Sequence, residues 1–166
     1  MFKLDMLLIK LFKIDQFKWR YLTNSEIALC RSVFADLIDY KKVRVMNHPY
    51  LPWQPVGIFM APNGYIHLKG TDYCDDFSCI SLGYQAVFIH EMAHVYQYQR
   101  HENVLLKGAI LQSAMYLSFG KYNPYRYTFV KGKPYFDYNI EQQGDIAKDI
   151  YLKRIENIIL NKNSPT

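Results

Sequence analysis

The chain has 166 residues, which is enough for one domain with a sizeable core. Half of its residues are hydrophobic and 21% are charged, a composition typical of globular proteins and unlike that of disordered chains. The net charge of +5 would suit an acidic partner. However, the lysines and arginines are spread along the chain and no standard nucleic-acid motif is present, so we expect no nucleic-acid partner.

Residues 1–20 are predicted to form an amphipathic N-terminal segment, because apolar residues recur there at helical spacing. Charged residues interrupt the segment, so no stretch approaches the ~20 residues of a membrane span. The small-residue cleavage site of a signal peptide is also missing. We therefore expect no transmembrane segment and synthesis in the cytoplasm without a signal peptide.

Residues 21–160 are predicted to form one domain, followed by a polar tail at 161–166. Thr23 and Glu26 have the spacing of a capping box, and an apolar stripe follows them. This pattern predicts a first helix that ends near Tyr40.

A small antiparallel sheet is predicted next. Residues 43–46 alternate like a strand, and residues 57–61 and 65–69 flank the turn sequence Pro62-Asn63-Gly64. The following stretch, 70–79, contains three aspartates whose spacing matches no calcium-binding loop. We interpret it as a solvated loop.

The second half of the chain is predicted to be mainly helical. Residues 81–99 are good helix formers without proline, and a second helix is predicted over 103–119. A tyrosine-rich stretch with a hairpin turn at 131–132 follows. A capping pair then predicts a last helix that begins at Asn139 and extends to about Leu160.

The sequence His90-Glu91-Met92-Ala93-His94 is an HExxH motif. Residues four apart on a helix lie on the same face, so both imidazoles can reach one metal ion. Glu91 is then placed to take a proton from a water whose pKa a catalytic zinc lowers to about 7. The motif predicts Zn²⁺ held by His90 and His94, with Glu91 as the general base.

A catalytic zinc needs a third protein ligand, and Glu141 is the candidate. It stands in the first turn of the last predicted helix, with Asp145 one turn further on. We predict that Glu141 binds the metal and that Asp145 accepts a hydrogen bond from a metal-binding histidine. The alternative is that both acids are exposed and compensate the helix N-terminus.

Hydrolysis also needs a group that stabilises the oxyanion, usually a Tyr or His across from the general base. Several residues qualify, and the sequence does not choose among them. His67 alternates with polar neighbours on a predicted strand, and we interpret it as a residue on the strand face. The candidates are Tyr122, Tyr125, Tyr127, Tyr135, Tyr138 and His101.

Three cysteines, Cys30, Cys74 and Cys79, form an odd set without zinc-finger spacing. This count argues against a disulfide framework and against a cysteine-based metal site. A bridge between Cys74 and Cys79 stays open for an oxidising compartment, and three free thiols are the simpler expectation.

The motif resembles that of the gluzincin zinc peptidases, in which a glutamate on a later helix joins HExxH and an aspartate follows four residues on. Glu141-Gln142-Gln143-Gly144-Asp145 has that spacing. Arg100 stands where the longer metzincin motif would have a histidine. Over roughly residues 20–155 the chain is most similar to the Vgr-related metallopeptidases found with type VI secretion systems. The resemblance is carried by residues 23–45, 60–64, 88–97 and 137–143.

This resemblance implies an α+β, zincin-like domain in which the sheet packs against the HExxH helix and the Glu141 helix. It also implies a bacterial type VI effector that cleaves a peptide, a protein or a peptidoglycan stem peptide, with a secretion spike or an immunity protein as partner. Residues 65–69 resemble the edge strand that binds extended substrates in such enzymes. The alternatives are a non-catalytic, zinc-stapled adaptor of a secretion spike and a membrane-active toxin acting through residues 1–20.

Overall fold

The structure is a computed structural model in which residues 17–161 are described. Residues 1–16 of the amphipathic segment and 162–166 of the polar tail lie outside the described residues. Within the described range the fold is α+β, as predicted, with a three-stranded sheet and four α-helices. The helices are α1 (Asn24–Phe34), α2 (Leu82–Gln99), α3 (Val104–Leu117) and α4 (Ile140–Tyr151).

The sheet is mixed, so the prediction of an antiparallel sheet was wrong. Its strands are β1 (Trp19–Arg20), β2 (Val45–Met46) and β3 (Ile66–His67), in that order. β1 pairs with β2 antiparallel, and β2 pairs with β3 parallel. The predicted hairpin contributes only an isolated antiparallel bridge between Met60 and His67. β3 gains its main partner from a strand twenty residues earlier, which local sequence patterns do not reveal.

Helix α1 begins at the predicted capping box. The Thr23 side chain accepts a hydrogen bond from the Glu26 backbone, and the Glu26 side chain accepts one from the Thr23 backbone. It ends at Phe34, not near Tyr40. Ala35 adopts a left-handed backbone with φ of 47°, which stops the helix without a glycine. Tyr40 instead starts a short 3₁₀ helix.

Helix α4 also begins as predicted, with Asn139 as its N-cap, but it ends at Tyr151 and not near Leu160. Lys153 has φ of 57°, and the chain after it is not helical. The Asn157 side chain donates to the carbonyl of Val33 at 2.8 Å. The last described stretch therefore packs back onto α1, where Ile158 and Ile159 are buried.

Residues 70–79 are not a solvated loop. They form two 3₁₀ helices, Gly70–Asp72 and Phe77–Cys79. The Phe77 ring is fully buried and stacks on Phe88 of α2 at 4.8 Å between centroids. Aromatic burial of this kind outweighs the polarity of the surrounding residues.

The Arg20 guanidinium fastens β1 to the helical part of the domain. It makes two hydrogen bonds of 2.7 Å to the fully buried carboxylate of Glu26, one to each oxygen. The same guanidinium donates to the carbonyl of Cys74, 54 residues away. Arg20, which sequence analysis assigned to the N-terminal segment, is thus bonded into the domain.

Helices α2 and α3 match their predicted spans to within two residues, and α2 packs along α4 through the centre of the molecule. Phe88, Ile89 and Met92 of α2 and Ile146 of α4 are fully buried in the core. The turn at 131–132 is present, but no strands flank it. Among residues 17–161, no helix combines the length and apolarity needed to cross a membrane.

Candidate metal centre

The two histidines of the HExxH motif lie one turn apart on α2, with ring centroids 5.0 Å from each other. Burial of Phe88 and Ile89 just before the motif fixes the rotation of α2, so that His90 and His94 face α4. One potential ligand atom from each of His90, Glu91 and His94 lies within 4.8 Å of the others.

Glu141, in the first turn of α4, reaches both histidines. Its Oε2 lies 3.4 Å from Nε2 of His90 and 3.4 Å from Nε2 of His94. A charge-assisted hydrogen bond is shorter, about 2.7–2.9 Å. Two ligand atoms that each lie about 2.0–2.1 Å from a tetrahedral zinc are about 3.4 Å apart. The spacing of these three residues therefore fits a zinc ion, which they could hold together.

Asp145 lies one turn beyond Glu141 on α4. Its Oδ1 is 3.3 Å from Nδ1 of His90 and also accepts from the ammonium group of Lys148. The structure thus places Asp145 behind His90, on the ring nitrogen that faces away from Glu141. A carboxylate in this position orients the ring and increases its basicity.

Glu91 is buried close to the two histidines, and its Oε2 has no hydrogen-bond partner among the described residues. Burial raises the pKa of Glu91, although His94 and His90 oppose the shift. Leaving a buried polar atom without a hydrogen-bond partner costs about 1–3 kcal/mol, and more when the group is charged. Because Oε2 of Glu91 is kept without a partner at this cost, it is suited to receive a proton from a bound molecule.

The carboxylates control the charge of the histidines. Burial lowers the pKa of His90, but the neighbouring carboxylates of Asp145 and Glu141 outweigh it and raise that pKa to about 9. The pKa of His94 is likewise raised against its burial, mainly by Glu141. Burial opposes charge on Glu141, yet the two imidazoles hold its pKa well below the usual range. Protons and a metal cation would therefore compete for this site.

Two contributions to the site were missed by sequence analysis. Gly144 of α4 lies against His90: a Cβ atom there would be 2.5 Å from Cε1 of the ring and 2.7 Å from both nitrogens. The Gln97 side-chain oxygen accepts from Nδ1 of His94 at 2.8 Å, and its amide nitrogen donates to the carbonyl of Ile140 at 3.0 Å. A glycine inside a predicted helix is a signal that could have revealed the first. A buried glutamine has no comparable sequence signature.

Of the candidates for oxyanion stabilisation, Tyr125 lies close to the histidines, with its ring centroid 6.4 Å from that of His90. Burial, together with the charges of Glu141 and Glu91, raises the pKa of Tyr125 to about 12, so its hydroxyl keeps its proton. The hydroxyls of three others are bonded elsewhere: Tyr127 to Asp149, Tyr135 to Gln143, and Tyr138 to Thr128. His101 is exposed beyond the end of α2, and Tyr122 is exposed as well.

The remaining expectations concern His67, β3 and the cysteines. His67 is buried on β3, with Nε2 3.0 Å from Asn63. Its backbone N–H and carbonyl are both bonded to Met60, so the edge of β3 is occupied at this residue. An extended substrate cannot pair with β3 there unless Met60 moves.

Cys30, Cys74 and Cys79 are all free thiols.

Comparison with known proteins relates this chain to the effector domain of a type VI secretion spike protein. No protein-family profile matches the chain. It is 45% identical over 141 residues to the type VI secretion system spike protein VgrG2b of Pseudomonas aeruginosa, a match that covers 82% of this chain and 13% of that protein.

The solved effector domain of Pseudomonas aeruginosa VgrG2b has the same fold. It matches with a TM-score of 0.75 and 42% identity, over 84% of this chain and 83% of that one. The chain therefore belongs to the family of the VgrG2b effector domain.

Proposed function

We propose that this protein is a zinc-dependent hydrolase that cleaves an amide bond, and that it acts as an effector of a type VI secretion system. One observation carries the proposal. Nε2 of His90 and Nε2 of His94 each lie 3.4 Å from the same oxygen of Glu141, with the unpaired carboxylate oxygen of Glu91 beside them. Two imidazoles, one carboxylate and a free general base are the set that catalytic zinc sites use.

His90, His94 and Glu141 would hold the ion, and Asp145 would keep the His90 ring in place. When bound, zinc lowers the pKa of water to about 7 and polarises a carbonyl group. Glu91 accepts the proton of the attacking water through its bare Oε2 and delivers it to the leaving amine. The protonated Tyr125 hydroxyl is the candidate donor to the oxyanion.

The proposed substrate class is a peptide, in a protein or in a peptidoglycan stem. The relative VgrG2b is a spike protein, and this chain spans only 13% of its length. Attachment to a secretion spike and neutralisation by an immunity protein are thus part of the proposal. A zinc-stapled adaptor is the second candidate, but a structural zinc site has no use for a buried acid such as Glu91 beside its first ligand.

The metal is tested by elemental analysis of the purified protein. We expect about one zinc per chain, and loss of that zinc in His90→Ala and in His94→Ala. His101→Ala removes an exposed histidine and serves as the control, which should keep its zinc. Full zinc content in both motif variants would end the proposal of a metal centre.

The chemistry is tested by Glu91→Gln, which keeps the size of the side chain but cannot accept a proton. Zinc should stay bound while hydrolysis of peptide or peptidoglycan substrates falls by about 10²–10⁴-fold. Glu156→Gln changes an exposed acid in the same way and should leave turnover unchanged. If Glu91→Gln retains full turnover or full toxicity with zinc in place, the adaptor is the better description.

A further inference from the structure

The net positive charge of the chain is concentrated in one stretch. The chain has 20 lysines and arginines and 15 aspartates and glutamates. Between Asn103 and Phe136 there is no acid, whereas the remainder of the chain has fifteen residues of each sign. The basic residues are spread along the whole chain, whereas the acidic residues are absent from this stretch. The five basic residues of the stretch are Lys107, Lys121, Arg126, Lys131 and Lys133.

The same stretch exposes large apolar side chains on and just after α3. Val104 is the only buried residue of this helix, although ten of its fourteen residues are apolar. Leu117 is 80% exposed and Phe119 is 94% exposed. We call this cluster the α3 surface; it consists of Leu105, Leu106, Ile110, Tyr116, Leu117 and Phe119. Contiguous exposed apolar residues of this kind mark a binding surface.

Tyrosines and cations surround the α3 surface. Tyr122 and Tyr125 are partly exposed just beyond it. Lys121 and Arg126 are exposed among them, whereas Lys107 is already paired with Glu102. Tyrosine, with an apolar ring and a polar hydroxyl, favours the boundary between hydrocarbon and water. Lysine and arginine near that boundary are attracted by anionic headgroups.

The geometry points to an anionic lipid bilayer as the partner of the α3 surface, and we propose that α3 lies in the headgroup region of such a bilayer. A helix of 14 residues is about 21 Å long, shorter than the ~30 Å hydrocarbon core, so it would lie along the membrane surface. A short apolar helix with adjoining cations is typical of interfacial binding. Charge complementarity selects anionic over neutral lipid.

The proposed membrane surface adjoins the candidate metal centre but does not depend on it. A Cβ atom at Gly108 of α3 would lie 3.8 Å from Oε1 of Glu141. Lipid binding would therefore hold the metal centre close to the membrane surface. The inference rests on exposed apolar and basic side chains, none of which we place in the chemistry except Tyr125.

Vesicle flotation with the full chain tests the proposal. We expect the wild type to float with vesicles of phosphatidylglycerol and phosphatidylcholine and to bind pure phosphatidylcholine at least tenfold more weakly. The variant Ile110→Ser/Leu117→Ser/Phe119→Ser should lose at least tenfold in binding. Its matched control, Trp53→Ser/Val56→Ser/Leu82→Ser, changes exposed apolar residues elsewhere and should bind like the wild type.

The charge contribution is tested by Lys121→Gln/Arg126→Gln/Lys131→Gln. Each cation near the surface contributes about fivefold, so loss of three should weaken binding to the anionic vesicles by about 100-fold. Lys18→Gln/Lys41→Gln/Lys153→Gln removes the same charge from other exposed positions and should reduce binding much less. Melting temperature and zinc content report whether each variant is folded.

Several outcomes would overturn the inference. Wild type that does not float, or that floats equally with neutral vesicles, contradicts it. A concentration-dependent dimer in sedimentation that the apolar triple variant abolishes would assign the α3 surface to a second copy of the chain. Because Glu91→Gln should float like the wild type, failure of lipid binding and failure of the proposed hydrolysis are distinguishable.

Discussion

Two clusters of charged side chains, around Glu26 and around Glu91, are buried among the described residues. They differ in how completely their carboxylates are hydrogen-bonded. Around Glu26, each carboxylate oxygen accepts one bond from Arg20 and one from the backbone, at Phe77 or Thr23. Around Glu91, one carboxylate oxygen has no partner among the described residues. Both acids are buried, yet only the first is fully bonded.

The difference separates a structural cluster from the candidate functional one. A buried charge that is completely paired stabilises one arrangement of the chain once it forms. A buried acid with an open acceptor position costs free energy that the rest of the fold must supply. The Glu26 cluster joins β1, α1 and residues 70–79, whereas the Glu91 cluster leaves a position that a metal and a water can occupy.

The largest expected effect is at the first cluster. Arg20→Met leaves the buried Glu26 carboxylate without its cation and should lower the free energy of unfolding by about 3–5 kcal/mol. Arg31→Met breaks the exposed pair with Asp36 and should cost only about 0–1 kcal/mol. Denaturant unfolding of both variants measures the difference. Equal, small losses would show that Glu26 is not held by Arg20.

Buried histidines extend the comparison to pH. Burial lowers the pKa of His67 to about 4, whereas the unfolded chain has a pKa near 6.5. Between these values the unfolded state binds more protons, so this contribution to stability is present above pH 6.5 and is lost as the pH falls to 4. The loss in the free energy of unfolding over this pH range is about 3 kcal/mol.

His67→Gln should remove that pH dependence. Unfolding of the metal-free proteins at pH 7 and pH 4 measures it, since the metal-site histidines titrate equally in both. His101→Asn, at an exposed position, controls for the loss of one histidine. Identical pH profiles for wild type and His67→Gln would contradict the prediction.

Two helical glycines test how closely α4 must approach the site. Gly144→Ala would place Cβ 2.5 Å from the His90 ring, and the resulting shift should cost about 1–3 kcal/mol and weaken zinc binding. At Gly108 the nearest atom is 3.8 Å away, so Gly108→Ala should stabilise the protein by up to about 1 kcal/mol. Opposite shifts in melting temperature are expected, and a neutral Gly144→Ala would argue against the close approach.

The smallest effect expected is at Asp145, behind His90. Asp145→Ala should weaken zinc binding by about 10–100-fold, because the ring loses its partner but no metal ligand is removed. Asp149→Ala, one turn further along α4, is the control and should leave affinity unchanged. Competition with a chelator measures both. A loss as large as that in Glu141→Ala would make Asp145 a ligand instead.

Sequence patterns predicted the helices and their caps well because those signals are local. The spacing of His90 and His94 likewise needed only helical geometry, whereas Glu141, on another helix, was chosen because a catalytic zinc needs a third ligand. The ends of α1 and α4 were predicted too late, since Ala35 and Lys153 take left-handed conformations that usually require glycine. Neither alanine nor lysine is a residue type that predicts such an end of a helix.

What the sequence could not predict depends on contacts between distant residues. The parallel pairing of β2 with β3 joins residues about twenty apart, and Arg20 bonds to Cys74 across 54 residues. The burial of Phe77 in a polar stretch has the same origin, because its neighbours come from α2. These features follow from the assembled core, which no local pattern encodes.

The glutamines behind His94 form a one-way series of donors and acceptors. The carbonyl of Tyr138 can only accept, so Gln143 must direct its amide nitrogen to it and its oxygen to Gln97. Gln97 therefore donates to Gln143 and presents its own oxygen to Nδ1 of His94. That nitrogen must carry a proton, so in the neutral ring the lone pair is on Nε2, which faces Glu141. A single backbone carbonyl thus dictates the tautomer of neutral His94 through two amides.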